Sequence, residues 1–543
     1  MRHQLQKLTP SWLEKAVFYQ IYPQSFYDSN GDGIGDIPGI IAKLDYIKSL
    51  GITGCWLNPC FDSPFQDAGY DVADYYKVAD RYGTNADLKR LFDEARKKGI
   101  RMLLDLVAGH TSIQHPWFKE SCKPERNMYS DYYIWTDDAW KWEVPGYKVV
   151  SGYSARNGCY ITNFFYFQPA LNYGFARPDP NQPWQQAVDA PGPQLVRQEL
   201  KKIMRFWLEM GASGFRVDMA FSLIKGDVGN RENTKLWQEM RFWLDVEYPD
   251  ACLISEWGVP SMAIPAGFHM DICLPFGMPG YTALLRKPYG TGPGNDPYGF
   301  SFFDQIGHGN ILEFLDNYLH HYQNIQGKGY IAIPTGNHDI NPRLSKDRTK
   351  EDLELIFLFL LTMPGVPFIW YGDEIGMRSF ENLVSKEGGY NRTGVRTPMQ
   401  WSNSVNAGFS TAKPDDIYLP IDPSPDRPTV LAQENDPNAL LQCVRKLVAI
   451  RNKYPALQAS AEFEILHARP GKYPLVYRRV NDQEEFIIAI NPSSQMVQAE
   501  FPHQSSAEPE FIYGTKGNLI NQASIHKIIL PAVSGVIYRI PLA

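Results

Sequence analysis

Apolar runs that stop on a charge limit the possible folds of this chain more than any other feature. Gly214-Phe215-Arg216-Val217-Asp218-Met219 reads as a short buried strand ending on Arg-x-Asp. Charges buried without partners are costly, so such a strand has to deliver them to a site. Cys252-Leu253-Ile254-Ser255-Glu256 repeats the pattern, and a third run ends on Gly336-Asn337-His338-Asp339. A fourth, Arg101 to Val107, carries Asp105 and runs into His110. Any one of these could be a strand that stops in a polar loop. Their recurrence in order predicts parallel strands with acids at their C-terminal ends, which is the active-site face of a (β/α)8 TIM barrel.

The rest of the chain supports that fold class. Ala16 to Tyr22 reads as a first strand and Ile40 to Leu50 as an amphipathic helix, with Gly51 past its end. Ile52 to Leu57, helix Asn85 to Lys98 and strand Arg101 to Val107 continue a βαβαβ rhythm, which predicts right-handed crossovers and a parallel sheet. From His110 to about Tyr173 the chain is rich in Trp, Tyr, Gly and Pro without helical period, and reads as an insert. Helix Gln194 to Met210 restores the rhythm. Strands then follow near Gly214–Asp218, Cys252–Glu256, Met270–Leu274, Tyr330–Thr335 and Val366–Tyr371, and helix Ala439 to Lys453 closes the barrel. Short alternating strands with Pro and Asn turns follow from about Ser460. The expected layout is a catalytic barrel over 1–109 and 174–458, an insert domain over 110–173, and a C-terminal all-β sandwich over 459–543.

Composition excludes several classes. With 543 residues the chain is too long for one core. A net charge of -7 gives no electrostatic basis for binding nucleic acid or an anionic membrane. No run is long and apolar enough to span a membrane, and Met1 to Lys15 lacks the apolar segment of a secretory leader. Seven cysteines without paired spacing argue for a reducing compartment. A cytoplasmic location is therefore expected, or a periplasmic one if a leader was removed before residue 1. The aromatic content, 13%, favours a carbohydrate site, because flat rings suit the C–H faces of sugars.

The acids suggest a reaction. Retaining glycoside hydrolysis needs one ionised carboxylate as nucleophile and one protonated acid, about 5–5.5 Å apart. Asp218 and Glu256, at the ends of neighbouring strands, fit that requirement. Arg216 points to the same side of its strand as Asp218 and is expected to hold it ionised. Glu256, beside Trp257, is expected to be desolvated and to act as the acid. The loop Asp28 to Asp36 offers oxygens at Asp28, Asn30, Asp32, the Ile34 carbonyl and Asp36, the first part of a calcium-loop spacing. Read from its residues alone, an acidic turn is the alternative, since position 12 is Gly39 rather than Glu and no EF-hand helix precedes the loop.

Four segments together resemble the α-amylase family of glycoside hydrolases, and within it the oligo-1,6-glucosidase and α-glucosidase branch. They stand as Asp105-Leu106-Val107-Ala108-Gly109-His110, Gly214 to Asp218, Ser255-Glu256-Trp257 and Gly336 to Asp339. The resemblance implies Asp218 as nucleophile, Glu256 as acid/base and Asp339 as a third acid on the ring hydroxyls. It implies that His110, Arg216 and His338 grip the first sugar. Asp67-Ala68-Gly69-Tyr70-Asp71 and Arg396-Thr397-Pro398-Met399-Gln400-Trp401 match further segments, in which Asp67 and Tyr70 face the sugar and Arg396 pairs with Asp67 to close the pocket. Phe164 matches an aromatic wall on the insert. The resemblance also favours one structural Ca2+ in the Asp28–Asp36 loop.

Three positions depart from the family pattern. Gly109 stands where Asn is usual, Ala170 where the branch has Asp, and Met219 where Val or Thr follows the nucleophile. The expected activity is that of an exo-acting retaining α-glucosidase on short α-glucoside oligosaccharides, as a monomer or homodimer. A glucosyl-transferring or isomerising enzyme of the sucrose isomerase or trehalose synthase type would share every catalytic residue. An endo-acting α-amylase is disfavoured by Asp67 and Arg396. A catalytically dead barrel used as a transporter subunit or binding module is disfavoured by the presence of all three acids.

Overall fold

The computed structural model describes residues 9–289, 299–503, 507–515, 517–522 and 525–541. Residues 1–8, part of the stretch read for a leader, lie outside them. Eight parallel strands close a barrel. They are Phe18–Ile21 (β1), Gly54–Leu57 (β2), Arg101–Leu106 (β3), Gly214–Val217 (β4), Cys252–Ser255 (β5), Met270–Ile272 (β6), Tyr330–Pro334 (β7) and Val366–Trp370 (β8). Each pairs with its neighbour in sequence, and β8 returns to β1, with Phe18 opposite Phe368. Most positions in these strands are buried, as expected of a parallel sheet covered by helices. Gly214 permits the close contact of β4 with β5. Its φ of 140° is one that few other residues adopt, and a Cβ there would lie 2.0 Å from the Cys252 carbonyl oxygen.

The strands stop one residue before Asp218 and Glu256, so both acids stand at the first loop positions past the sheet. The helix expected over Ile40 to Leu50 is two pieces, Ile37–Ala42 and Leu44–Ser49. It starts early because Asp36 caps it by accepting from Gly39 N–H and Pro38 suits the first turn. Between the pieces, Lys43 lays its ammonium on the rings of Tyr27 and Trp401, 4.0 and 4.3 Å from their centroids. The helix before β4 runs Pro191–Met210, with proline again in its first turn.

The segment between β3 and that helix carries a small antiparallel pair, Val149–Ser151 with Cys159–Ile161. It also holds a one-turn helix, Pro116–Ser121, too short for a helical period to show in sequence. Beyond the barrel lie a five-stranded and a three-stranded antiparallel sheet over residues 462–540. Two buried guanidiniums, Arg451 from helix Leu440–Lys453 and Arg479 from the five-stranded sheet, meet the segment that leads into β8. Arg451 donates to the carbonyls of Leu361, Met363 and Gly365, and Arg479 to those of Thr362 and Gln458. The end of helix Lys350–Thr362 is thus capped by cations from outside it. Among the described residues, no helix is long and apolar enough to cross a membrane.

Candidate active site

A cavity of about 250 Å3 opens at the C-terminal ends of the barrel strands. Asp67, Tyr70, His110, Phe164, Asp218, Glu256, His338, Asp339 and Arg396 all line it, so residues spread over more than 300 positions converge. Arg216 lies beneath the floor, 1% exposed. One guanidinium nitrogen is 2.8 Å from Asp105 and 3.1 Å from Asp218, and another is 2.9 Å from Glu256. The backbone N–H of Met219 donates to Glu256 at 2.9 Å.

That sharing corrects the expectation for Asp218. Burial pushes its carboxyl well above the usual range, and the adjacent Glu256 pushes it further. Arg216 pulls in the opposite direction, but its charge is divided among three carboxylates. Asp218 and Glu256 thus stand side by side on one guanidinium, and it is Asp218 whose ionisation this crowding opposes. Trp257, expected to desolvate Glu256, packs against Phe268 and does not line the cavity. The apolar wall is formed by Met219, Phe221, Phe276 and Phe164.

Asp339 is the opposite case. Burial raises it, but the His338 N–H, Arg392, Arg396 and Arg216 outweigh burial and hold it well below the usual carboxylate range. Arg392 is 2.5 Å and Arg396 3.2 Å from the same Asp339 oxygen. Arg396 also donates through Nε to the His338 carbonyl, at 2.9 Å. The expected Asp67–Arg396 pair is therefore corrected. Among the described residues the two form no ion pair, because Arg396 is committed to the Asp339 segment. Asp67 instead accepts from the Gln168 amide at 2.8 Å. Burial raises Asp67 to about 6, against the pull of Gln168, Arg392 and Arg396.

A relay of neutral donors sets the imidazoles. Gln20 Nε2 donates to His338 Nδ1 at 3.2 Å, which leaves His338 Nε2 as a donor toward Tyr70 and Asp339. Tyr70 stacks on His338 and donates to Asp105 at 2.9 Å. Burial holds His338 well below its ordinary range, so its contact with Asp339 is a hydrogen bond between a neutral ring and an anion.

Sequence reasoning missed Arg392, Phe221, Phe276, Gln168 and the role of Asp105. A signal existed for Arg392, which lies four residues before Arg396 in a tight turn, Tyr390–Val395. None existed for the two phenylalanines, whose exposure is decided by loop packing.

The calcium-loop residues lie together but are engaged with one another. Asp28 accepts from the N–H groups of Asn30, Gly31 and Gly33 and from the Ser410 hydroxyl. Asp32 accepts from Ile34 N–H, and Asp36 from Ser29 and Gly39. Among the described residues, no group of three His, Cys, Asp or Glu side chains could hold a metal ion.

Comparison with known proteins places this geometry. The family model for the alpha-amylase catalytic domain matches residues 20–460. The trehalose synthase/amylase TreS of Mycobacterium tuberculosis (strain ATCC 25618 / H37Rv) is 32% identical over 530 residues, 90% of this chain and 83% of that protein. An oligo-1,6-glucosidase of Parageobacillus thermoglucosidasius is 31% identical over 564 residues, 95% of each. Among solved structures, an inactive double mutant of MutB in complex with isomaltulose superposes with a TM-score of 0.79 at 26% identity, covering 97% of this chain and 99% of that one. An isomaltulose synthase mutant from Erwinia rhapontici NX5, in complex with sucrose, gives 0.78 at 27%, covering 98% and 100%. The convergence of strand-end acids on one cavity and the match over most of the chain agree: this protein belongs to the alpha-amylase family of glycoside hydrolases.

Proposed function

We propose that the chain is a retaining, exo-acting α-glucosidase on short α-glucosides. The observation that carries this reading is the Asp218–Glu256 pair bound to one guanidinium, with Asp339 held ionised by two further arginines. Two carboxyls held by the same guanidinium at the ends of neighbouring strands stand close together, as the retaining mechanism needs. Asp218 then attacks the anomeric carbon while Glu256 protonates the leaving oxygen. For that, Glu256 carries a proton in the substrate complex, and positive charge developing on the sugar ring favours the Asp218 carboxylate. The glucosyl ester is released when Glu256 takes a proton from the incoming hydroxyl. Asp339, a fixed anion beside the ring, stabilises the oxocarbenium-like transition state. The cavity has the size of a site for one small ligand rather than a polymer cleft, which supports exo action.

A second reading is transfer of the glucosyl group to a sugar hydroxyl. The relatives named trehalose synthase and isomaltulose synthase favour it, as does the apolar wall of Met219, Phe221 and Phe276 beside the acids, which disfavours water. Proton NMR of the first product from maltose, isomaltose, sucrose and trehalose tests both. Free α-glucose supports hydrolysis with retention, a new disaccharide supports transfer, and β-glucose as the first product overturns the retaining mechanism.

Calcium in the Asp28–Asp36 loop remains a proposal resting on its spacing and on the family resemblance. Any such ion would be structural, since the loop follows β1 and no step above uses a metal.

A further inference from the structure

Gly109 immediately precedes His110, and its backbone does not adopt the left-handed conformation that would call for glycine. Space is what excludes a side chain there. A Cβ at 109 would lie 2.6 Å from the side-chain nitrogen of Asn163 and 3.5 Å from the Ser222 hydroxyl. Asn163 comes from the insert, 54 residues later, at the base of the loop that carries Phe164 and Gln168. Its N–H is pinned to the Gln168 carbonyl at 2.9 Å.

The Asn163 amide has one orientation. Its oxygen accepts from the Lys225 ammonium at 2.9 Å, and an ammonium is only a donor, so the NH2 group faces the other way. There it lies 3.2 Å from His110 Nδ1 and 3.3 Å from the Ser222 hydroxyl. His110 Nε2 lies 3.1 Å from the Tyr70 carbonyl oxygen, which can only accept. The ring is therefore unprotonated at Nδ1 and protonated at Nε2. Burial, which holds His110 down to about 3, agrees with a neutral ring. Lys225 also donates to the Ser222 carbonyl at 2.7 Å, and among the described residues it has no carboxylate partner. It follows Met219 on the loop after Asp218, so the amide joins three walls of the cavity.

We propose that Asn163 is a positioning residue whose amide, in the space a side chain at 109 would fill, fixes His110 as the Nε2–H tautomer and anchors the Met219–Lys225 loop to the insert. Positions 109 and 163 compete for one volume, and either could supply the amide. The proposal rests on the reading that this cavity holds the sugar, but its spectroscopic arm does not.

The test combines kinetics on maltose with imidazole 15N NMR of His110. Asn163→Ala is expected to lower kcat/KM at least about tenfold, chiefly in kcat, and to mix the His110 tautomers. Gly109→Asn alone is expected to be impaired by the clash. Gly109→Asn combined with Asn163→Ala is expected to return to within about threefold of the parent. Asn163→Asp keeps the shape and the Lys225 contact, so it folds, but it faces His110 with an acceptor and should abolish the single Nε2–H signal. Asn163→Ala with unchanged kinetics and an unchanged His110 spectrum overturns the proposal, as does a double variant no better than the worse single one. A chain inactive on every α-glucoside would instead count against the proposed function, while the His110 spectra still decide the role of Asn163.

Discussion

Two sides of one cavity treat a carboxylate in opposite ways. On the β4–β5 side, one guanidinium, that of Arg216, serves Asp105, Asp218 and Glu256, and Asp218 is pushed up. On the far side, two guanidiniums and a histidine N–H serve the single carboxylate Asp339, which is pushed down. Both sites contain arginine, but Asp218 is buried while the Asp339 side chain is 32% exposed. The deciding quantity is cations per carboxylate, since desolvation acts on both in the same direction and only the local charge differs in sign. The first arrangement opposes an anion at Asp218, whereas the second favours one at Asp339.

The largest test removes one acid from the crowded side. Asp218→Asn is expected to reduce kcat/KM by at least about three orders of magnitude, with the thermal transition of the parent retained. Activity within about tenfold of the parent would mean that the pair is not the reacting pair.

Removing cations from the far side comes next. Arg396 is 2% exposed and also holds the His338 carbonyl, whereas the Arg392 side chain is 20% exposed. Breaking a buried pair costs about 3–5 kcal/mol, so Arg396→Ala should lose about two to four orders of magnitude on disaccharides. Arg392→Ala, more exposed to water, should lose roughly tenfold. Equal losses on steady-state assay would show that the two arginines are not ranked by burial. An oligosaccharide capped at its non-reducing end should remain intact with the parent, and rapid internal cleavage would mean that the cleft is open.

Asp67 sharpens the comparison through stability. Its folded value of about 6 lies above the usual carboxylate range. The protonated form therefore stabilises the fold at low pH, and that contribution is lost as pH rises through about 6. Asp67→Asn should then melt higher than the parent at pH 7.5, by up to about 3 kcal/mol, and about level with it near pH 4. Calorimetry showing the reverse order would mean that Arg392 and Arg396 compensate Asp67 in full.

The smallest expected effect is at the Asp28–Asp36 loop, whose carboxylates already accept from backbone and hydroxyl groups. Chelation should lower the melting temperature by about 2 °C or less and leave kcat of the folded protein unchanged. No calcium uptake and no shift would identify the loop as a hydrogen-bonded turn.

The barrel and its acids were legible in the chain because both are local properties. A strand buried on both faces is an apolar run, and a charge at its end shows in sequence whatever lies across the cavity. Asp218, Glu256, Asp339, His110, His338 and Tyr70 could therefore be named, and the cavity collects them. Which cation meets which anion was decided by the tertiary structure alone. Arg396 reaches Asp339 rather than Asp67, Arg216 is divided three ways, and Asn163 fills the space left by Gly109. These pairings join residues up to 111 positions apart, and a shift of a few ångströms would exchange them. Coulomb and hydrogen-bond energies change steeply over such distances, and no pattern in the order of residues records them.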